Sequence, residues 1–394
     1  MADDTAGDDR TIGRRLRNIR LARKKSLRTV AGLAGISAGH LSRIENGERA
    51  LDRRSVVVAL ANALQVSPSE LTSLPIPTPA DGTCDSSIYA VRRALMAVST
   101  GRPGGEVQPV EQLRHRADEV ENVDYDRRGL LLPSLIVDLH TTMGEGRDMA
   151  ELLRTAVMLH AQTVRGWLLV VGAPLDLRWQ ASMLARDAAG ELDDTTMAGV
   201  VTWGTVVEMI SSGAFDLARR ELDSTTVPTD TSEGLQLDGM LALSRSLVAA
   251  SDNHPAEVSA ALEHAAELAG RTGQGNAFRM GFGPVNVGIW RMAATLESDD
   301  PDETVRIAEG LHPSEHHSRE RQATFWMDYG RALARVRRRA DAVKALRRGE
   351  VLFPMRVLRN PFVRDVLAEL TAHSKRDAVG RELRGMAYRA GLPV

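Results

Sequence analysis

Residues 12–74 read IGRRLRNIRLARKKSLRTVAGLAGISAGHLSRIENGERALDRRSVVVALANALQVSPSELTSL, and their spacing decides the fold of the N-terminal part of the chain. Small and apolar residues fall where two short helices meeting at a sharp turn must bury side chains: Val30, Ala31, Gly35, Ile36, Leu41 and Ile44. Ala31 is small enough for the helices to approach closely, and Gly35 can adopt the positive φ at which a helix ends and the chain reverses. The stretch therefore predicts two helices joined by a tight turn.

The second of these helices is predicted over residues 38–46. The hydroxyl group of Ser37 can accept a hydrogen bond from a free backbone N–H group in its first turn. Leu41 and Ile44, three residues apart, form the buried stripe of the helix. Its other side chains are then left on the outside, where they can meet a binding partner.

The whole stretch resembles the helix-turn-helix domain of the lambda-repressor-like (XRE) regulator family, and ISAGHLSRIENG (36–47) is its most recognisable part. ALANALQVSPSEL (59–71) has the spacing of the closing helices of this five-helix domain, and Ser67 to Glu70 read as a capping box. Leu27 departs from the family, since many members carry glutamine there for a contact to the DNA backbone. The resemblance implies that the helix over 38–46 reads DNA.

We accordingly predict DNA contacts for the outward-facing residues Arg28, Ser37, Ala38, Gly39, His40, Ser42, Arg43 and Asn46. Arg43 can form two hydrogen bonds to guanine O6 and N7, a contact worth about 1–3 kcal/mol of discrimination; its alternatives are a phosphate contact or an ion pair with Glu48. His40, Ser42 and Arg28 are candidates for phosphate contacts that set the register. Glu45 and Asn46 are also expected to shape the turn that leaves the helix.

The distribution of charge supports a nucleic-acid partner. Residues 10–74 contain thirteen Lys or Arg and four Asp or Glu, a net charge of +9, while the whole chain has a net charge of −2. The basic run consists of Arg14, Arg15, Arg17, Arg20, Arg23, Lys24 and Lys25. By itself, such a run is also typical of a solvated helix face, but beside this turn motif it favours binding to phosphates with salt-dependent affinity.

At 394 residues, the chain is long enough for two or three domains. We predict a disordered acidic N-terminus (1–10), the DNA-binding domain (11–74), a linker punctuated by proline and glycine (75–87) and a helical domain (88–394). No signal peptide and no run of about 18 apolar residues is seen, so no membrane partner is expected. The single cysteine, Cys84, excludes an internal disulfide and fits a cytoplasmic protein.

From residue 88 onwards, apolar residues recur at helical spacing, which predicts an all-α protein. Near the end, the sequence reproduces the spacing of the tetratricopeptide repeat, which is W-x2-L-G-x2-Y, then A-x3-F, then P. The usual Leu, Tyr and Phe of this pattern are replaced by Tyr, Leu and Leu. The matching residues are Trp326, Tyr329, Gly330, Leu333, Ala342, Leu346 and Pro354. The small residues Gly330 and Ala342 allow two antiparallel helices to cross closely, and Trp326 is expected to be structural. LLVVGAP (168–174) is the nearest candidate for a strand, although it can equally end a buried helix.

Weaker copies of the repeat occur at 211–222, 254–268 and 299–311. If Ala218, Val258, Thr304 and Ala342 are equivalent, the spacings are 40, 46 and 38 residues, which makes the repeats degenerate. An earlier pair of helices, around 125–140 and 149–171, is predicted to start the array. Each hairpin leaves an apolar face that only a neighbour can cover, so the hairpins are expected to stack into a superhelix with an inner wall open to a ligand.

Together, the two halves resemble actinobacterial-type XRE regulators with a C-terminal tetratricopeptide-like domain; GFGPVNVGIWRMAATLE (281–297), GRALARVRRR (330–339) and DAVGRELRGMAYRAGLP (377–393) are typical segments. The resemblance implies a transcription regulator whose DNA affinity responds to a small molecule or peptide bound by the helical array. We expect a homodimer that reads a two-fold symmetric operator. Two alternatives remain: the array is a dimerisation scaffold without a ligand, or it binds another protein.

The segment from Arg279 to Trp290 is the strongest candidate for a ligand site, because glycine and proline interrupt the helical pattern just before a helix. Asn286 and Trp290, four residues apart, would share one face of that helix and could hold a peptide backbone and supply an apolar wall. Phe282 belongs to the same candidate site, although Phe282 and Pro284 could also serve only to shape a turn. Further wall candidates are Trp167, Arg178, Trp179 and Trp203.

Catalytic and metal-binding patterns are not found: the sequence has no G-x-S-x-G, H-E-x-x-H or P-loop motif and no Cys or His cluster at zinc spacing. We therefore expect neither an enzyme nor a cofactor. His316 and His317 are adjacent, so on a helix their side chains would diverge by about 100° and would not form a ligand pair. We expect them in a surface loop.

Overall fold

The computed structural model describes residues 11–72 and 84–393, with the side chains of residues 84 and 85 left out. The predicted acidic N-terminus and most of the predicted linker lie outside these ranges. Within them, all regular secondary structure is helical and there is no strand, so the prediction of an all-α protein is confirmed. LLVVGAP is the end of a helix and the turn that follows it.

The N-terminal domain consists of five helices, α1 (Ile12–Ala22), α2 (Leu27–Leu33), α3 (Ala38–Glu45), α4 (Arg54–Leu64) and α5 (Pro68–Thr72). Leu16, Leu41, Ile44, Leu60 and Leu71 are among its fully buried residues. The apolar stripes of all five helices meet in this core. The predicted capping box at Ser67 is only partly formed, because Ser67 Oγ accepts from the N–H of Ser69 at 3.3 Å.

The rest of the described chain forms a helical, repeat-like body. Its helices are α6 (Cys84–Ser99), α7 (Val110–Asn122), α8 (Tyr125–Met143), α9 (Met149–Met158), α10 (Arg165–Val170), α11 (Leu175–Leu192), α12 (Thr195–Ser212), α13 (Phe215–Ser224), α14 (Ser232–Ser251), α15 (Pro255–Thr272), α16 (Pro284–Glu297), α17 (Pro301–Glu309), α18 (Arg319–Arg335), α19 (Arg339–Leu352), α20 (Pro354–Leu358), α21 (Pro361–Ala372) and α22 (Ala378–Arg389). A π-helical segment, Leu159–Val164, joins α9 to α10. None of the helices within the described ranges combines the length and apolar character that crossing a membrane requires.

The pair α18 and α19 packs as the terminal repeat pattern predicts. A β-carbon at Gly330 would lie 2.6 Å from Leu346 Cγ, which shows that only glycine allows this close crossing. Ala218, Val258, Thr304 and Ala342 are each the fourth residue of their helix. All but Val258 are fully buried, and Val258 is half-buried. The four positions are therefore equivalent along the chain, although the repeat that contains Val258 packs less tightly there.

The body begins earlier than predicted. Helix α6 starts at Cys84, inside the stretch assigned to the linker, and both α6 and α7 pack against α8. The prediction that the pair around 125–140 and 149–171 starts the array is therefore wrong. The apolar faces of α6 and α7 cover the side of α8 that would otherwise be exposed.

Candidate nucleic-acid interface and central cavity

Helices α2 and α3 have the geometry that the turn motif predicts. Gly35 has a φ of +68°, and Ser37 Oγ accepts a hydrogen bond from the N–H of His40 at 3.1 Å. Leu41 and Ile44 are completely buried and fix α3 on the domain core. The opposite face of α3 is thereby held outwards.

The residues predicted to contact DNA all lie at the surface of the N-terminal domain. His40 and Ser42 are half-buried, and the exposed ones are Arg28, Ser37, Ala38, Gly39, Arg43 and Asn46. Asn46 Oδ1 also accepts from Arg17 Nη1 at 3.4 Å, which links the end of α3 to α1. Within the described residues, Arg43 forms no ion pair with Glu48, and base recognition by Arg43 stays a prediction.

The surroundings of His40 favour its neutral form. Burial lowers its pKa, and the nearby guanidinium groups of Arg49 and Arg43 lower it further. A neutral imidazole offers one donor and one acceptor nitrogen, so His40 can form hydrogen bonds to DNA in this form.

Part of the basic run serves the fold and is not available to phosphates. Arg20 is buried and forms two hydrogen bonds to Glu45, from Nε to Oε1 at 2.6 Å and from Nη2 to Oε2 at 2.7 Å. Lys25 Nζ donates to the carbonyl oxygen of Ala63 at 2.6 Å. Glu45, which was expected to help shape the turn after α3, also ties α3 to α1 through its carboxylate.

The body supplies the N-terminal cap of α4. Arg53, the residue before this helix, makes no capping hydrogen bond with its side chain. Instead, the carboxylate of Glu297 at the end of α16 accepts from the N–H groups of Arg54 at 3.1 Å and Ser55 at 2.8 Å. The negative charge of Glu297 also complements the positive end of the α4 dipole. The N-terminal domain and the body are thus joined through a helix terminus.

Asp365 of α21 makes a second such connection. Its carboxylate accepts from the N–H of Ile12 at 3.0 Å and from the N–H of Leu51 at 2.6 Å, and it is buried. On the same helix, Phe362 packs into the core of the N-terminal domain. Glu369, one turn further along, accepts from the N–H of Ala50 at 2.7 Å. Three carboxylates of the body therefore hold backbone groups of the N-terminal domain.

The contact at Asp365 is expected to depend on pH. Burial raises the pKa of Asp365 from 3.8 to about 7; the N–H groups of Leu51 and Ile12 oppose the rise, and the nearby Asp52 adds to it. Because the docked carboxyl group binds its proton more tightly than the exposed one, docking should weaken as the pH rises from about 4 to about 7 and change little above that. Hydrogen exchange of the Ile12 and Leu51 N–H groups, corrected for the intrinsic rate, should show more protection at pH 6 than at pH 8. Asp365→Asn should remove the dependence, and equal protection at both pH values in the wild type would contradict it.

A cavity of ≈1160 Å³ lies between the N-terminal domain and the body. One wall is formed by α4 and α5, through Arg54, Val57, Val58 and Glu70. The facing walls come from α10 to α12, α16, α18 and the segment around α20 and α21. The volume slightly exceeds the range typical of small-molecule sites, about 300–1000 Å³. A ligand here would contact both parts of the chain.

Most of the predicted ligand residues line this cavity: Arg279, Asn286, Trp290, Trp203, Trp179 and Arg178. Phe282 does not, because it is completely buried against Gly239, where a β-carbon would clash with its ring. Trp167 is likewise buried, and its Nε1 donates to the carbonyl oxygen of Tyr125 at 2.8 Å. These two aromatic side chains belong to the core.

Asn286 and Arg279 are already engaged within the protein. Asn286 is completely buried, and its Oδ1 accepts from Arg321 Nε at 2.9 Å. Asn286, which was expected to bind a peptide backbone, therefore orients the side chain of Arg321 instead. Arg279 Nη2 lies 2.7 Å from Asp118 Oδ1 and its Nη1 lies 3.2 Å from Glu121 Oε1, which fasten the cavity rim to α7.

Two features of the cavity wall were not predicted from the sequence. Glu208 is fully buried between Arg165 at 3.4 Å and Arg178 at 2.8 Å. A lone glutamate in the apolar helix TTMAGVVTWGTVVEMISS is the only signal that could have indicated this site. The arginine Arg321, beside Asn286, is the second feature and gave no signal of its own.

His316 is not in an exposed loop, so that expectation is wrong. It is buried, its Nδ1 accepts from the N–H of Ser318 at 3.0 Å, and its Nε2 therefore donates to the carbonyl oxygen of Gly281 at 2.9 Å. Burial lowers the pKa of His316 to about 4. The neutral ring fastens the glycine-rich turn before α16 to the start of α18.

Comparison with known proteins identifies the N-terminal domain. A family model described as a helix-turn-helix domain matches residues 11–74. This part of the chain is therefore a helix-turn-helix DNA-binding domain. The comparison with curated protein sequences finds no match.

Among solved structures, Bacillus thuringiensis PlcR, crystallised in complex with the peptide PapR7 and DNA, is similar over 90% of this chain and 99% of that chain. The identity is 12% and the TM-score is 0.29. A TM-score this low carries no argument about this chain.

Proposed function

We propose that the protein is a sequence-specific transcription regulator of the XRE type, in which a small molecule or peptide bound in the central cavity modulates operator binding. The observation that carries this proposal is the position of the cavity. Its walls include Arg54, Val57 and Val58 of the DNA-binding domain, so a ligand there would act on the domain directly. We place the protein in the cytoplasm, where its operator would be.

Arg54 is the residue through which occupancy would be transmitted. Its backbone N–H donates to Glu297 at 3.1 Å, and its guanidinium group lies 5.5 Å from the centre of the Phe362 ring. Helix α4 packs on α2, which in turn packs on α3. A ligand that moves Arg54 changes the position of α3 relative to the body. Such a movement regulates DNA binding only if the ligand binds the two positions of α3 relative to the body with different affinity.

The cavity favours a ligand sensor over a scaffold that only dimerises, because such a scaffold needs no space of this kind. The cavity places Trp179, Trp203 and Trp290 among polar side chains, which is the composition typical of small-molecule sites.

We further propose that the regulator is a homodimer that reads a two-fold symmetric operator. Tyr89 and Met96, seven residues apart on one face of α6, are 63% and 55% exposed, and Leu130 of the adjoining α8 is 65% exposed. Such apolar side chains on neighbouring helices are suited to an interface between copies. Two copies of α3 would then reach half-sites about one helical turn, or a multiple of it, apart.

Native mass spectrometry of the full chain, purified from its own host, tests the sensor function. A retained mass that disappears on denaturation would support it and supply the ligand for operator titrations. The same spectra report the dimer. Operator selection from random duplexes tests the DNA-binding function separately, and recovery of no preferred sequence would contradict it.

Replacing Arg43 with alanine should relax the preference at one base pair. If Arg43 pairs with a guanine, the loss at that position is about 1–3 kcal/mol, while other positions are still discriminated. Affinities for the selected operator and its single-base variants provide the measurement. The matched control is Arg28→Ala, which should weaken all sites alike and reduce the salt dependence. A uniform loss in the Arg43 variant as well would assign Arg43 to a phosphate.

A further inference from the structure

One wall of the central cavity carries two arginines with little opposing charge, Arg321 and Arg356. Arg356 Nε lies 3.3 Å from Thr324 Oγ1 and 3.9 Å from Glu320 Oε1. In the part of the chain that the structure describes, Arg321 has no carboxylate oxygen within 4.0 Å. Its nearest acidic neighbours, Glu320 and Asp328, act on it only from a greater distance. The excess of positive charge is therefore local to this wall.

Retaining this charge is costly to the protein. Burial is the main reason why the pKa of Arg321 is lowered to about 10, and the neighbouring Arg356 lowers it further. Buried arginines that serve only the fold are normally paired with a carboxylate, as Arg165 and Arg178 are with Glu208. Arg321, which is partly buried, has no such partner among the described residues, although it is held in a defined orientation.

The orientation of Arg321 comes from two neutral side chains. Asn286 Oδ1 accepts from its Nε at 2.9 Å, and its guanidinium carbon lies 5.7 Å from the centre of the Trp290 ring. Trp290 is 8% exposed, and its buried Nε1 donor has no acceptor in the described part of the chain. Within the same ranges, Trp203 Nε1, also on the cavity wall, is a second buried donor without an acceptor. An acceptor-rich group in the cavity would satisfy these donors.

The lining of the cavity as a whole also contains more positively than negatively charged residues. The cavity is lined by ten arginines, Arg54, Arg92, Arg128, Arg165, Arg178, Arg279, Arg321, Arg331, Arg356 and Arg359. Seven acidic residues oppose them, Glu70, Glu121, Asp176, Glu208, Glu297, Glu320 and Asp328. His316 adds no charge, because it is neutral.

We propose that the Arg321–Arg356 wall binds an oxyanion, a carboxylate or a phosphate, carried by the ligand of the central cavity. The apolar part of that ligand lies along Ile289, Trp290 and Met240, which continue the same wall. This inference rests on the proposed sensor function and adds the chemical class of its ligand. An anion entering here is paired with both guanidinium groups in a partly dehydrated site, where charge-assisted hydrogen bonds are strong.

The test uses the full chain with three probes, phenylacetate, its neutral counterpart phenylacetamide, and inorganic phosphate at matched ionic strength. Thermal unfolding and calorimetric titration measure binding. Phenylacetate or phosphate should raise the unfolding midpoint of the wild type, and Arg321→Met and Arg356→Met should each weaken binding at least about tenfold. Arg348→Met is the matched control, since Arg348 lies 4.8 Å from the Trp326 ring in a similar cation–π contact but is exposed and outside the cavity.

Each outcome decides between the alternatives. Binding of phenylacetate alone identifies a carboxylate site, binding of phosphate alone identifies a phosphate site, and binding of both identifies a general oxyanion site. Equal binding of phenylacetamide, or no binding of either anion, would overturn the inference. A neutral ligand retained in native mass spectra would overturn it too, while leaving the sensor function intact.

Discussion

Replacing Glu45 with alanine will destabilise the DNA-binding domain by about 3–5 kcal/mol, because it leaves the buried guanidinium group of Arg20 without its partner. The side chains of Arg20 and Glu45 are 10% and 3% exposed, so solvent cannot compensate for the loss. Small domains have a total stability of about 5–15 kcal/mol. We therefore expect α1 and α3 to separate and operator binding to be lost.

Hydrogen exchange of α1 and α3 in the full chain measures this effect, together with the affinity for the selected operator. Glu48→Ala, three residues further on at an exposed position, is the matched control and should change little. The double variant Arg20→Met with Glu45→Leu removes both charges and should recover most of the stability. Equal exchange in the Glu45 and Glu48 variants would contradict the assigned role of the ion pair.

Replacing Asp365 with alanine will release the DNA-binding domain from the body. The substitution leaves the N–H groups of Ile12 and Leu51 buried without an acceptor. An unsatisfied buried donor costs about 1–3 kcal/mol, so the loss for both is about 2–6 kcal/mol of docking free energy. The docked population then falls by roughly 30- to 20,000-fold relative to the undocked one.

The measurement is hydrogen exchange of the segments that contain Ile12, Leu51 and Phe362, with solution scattering to detect a larger radius of gyration. Glu369→Ala is the matched control, since Glu369 is half-buried and its carboxylate accepts from the N–H of Ala50. Water can replace that contact, so its effect should be smaller. If the Asp365 variant showed unchanged exchange and scattering, docking would not depend on this carboxylate.

The two variants also distinguish two ways of losing function. Glu45→Ala damages the DNA-binding domain itself, so no operator is bound. Asp365→Ala leaves the domain intact but separates it from α21 and from the cavity wall. Operator binding that persists in the Asp365 variant and no longer responds to the cavity ligand would be strong support for the proposed regulator.

Features that depend on neighbours in sequence were predictable. Gly35 indicates the turn before α3, because the local backbone there requires a positive φ. Ser37 indicates the cap of α3, because its hydroxyl group can accept from a free backbone N–H. The spacing from Trp326 to Leu346 predicts the last helical pair, because it describes which side chains two adjacent helices bury. Trp179, Trp203 and Trp290 were candidates for the cavity because tryptophans are uncommon and serve such walls well.

Features that depend on stacking were not predictable. Phe282 and Trp167 resembled the other aromatic candidates in sequence, yet the packing of α14 and α8 encloses them. Arg20 resembled its neighbours in the basic run, and only the position of α3 shows that it faces Glu45. His316 is buried because the turn at Gly281 lies over it, a contact between residues 35 positions apart.

By itself, the sequence determined an all-helical chain, a DNA-binding domain with an outward-facing α3, and a series of degenerate helical hairpins, since periodicity, caps and turn residues act over a few positions. Only the tertiary structure decided that Asp365 holds Ile12 across 353 positions, that Glu297 caps α4, and that the cavity lies between the two parts of the chain. The physical reason is that a buried carboxylate or arginine is recognisable only by its partner, and its partner is chosen by how the helices stack.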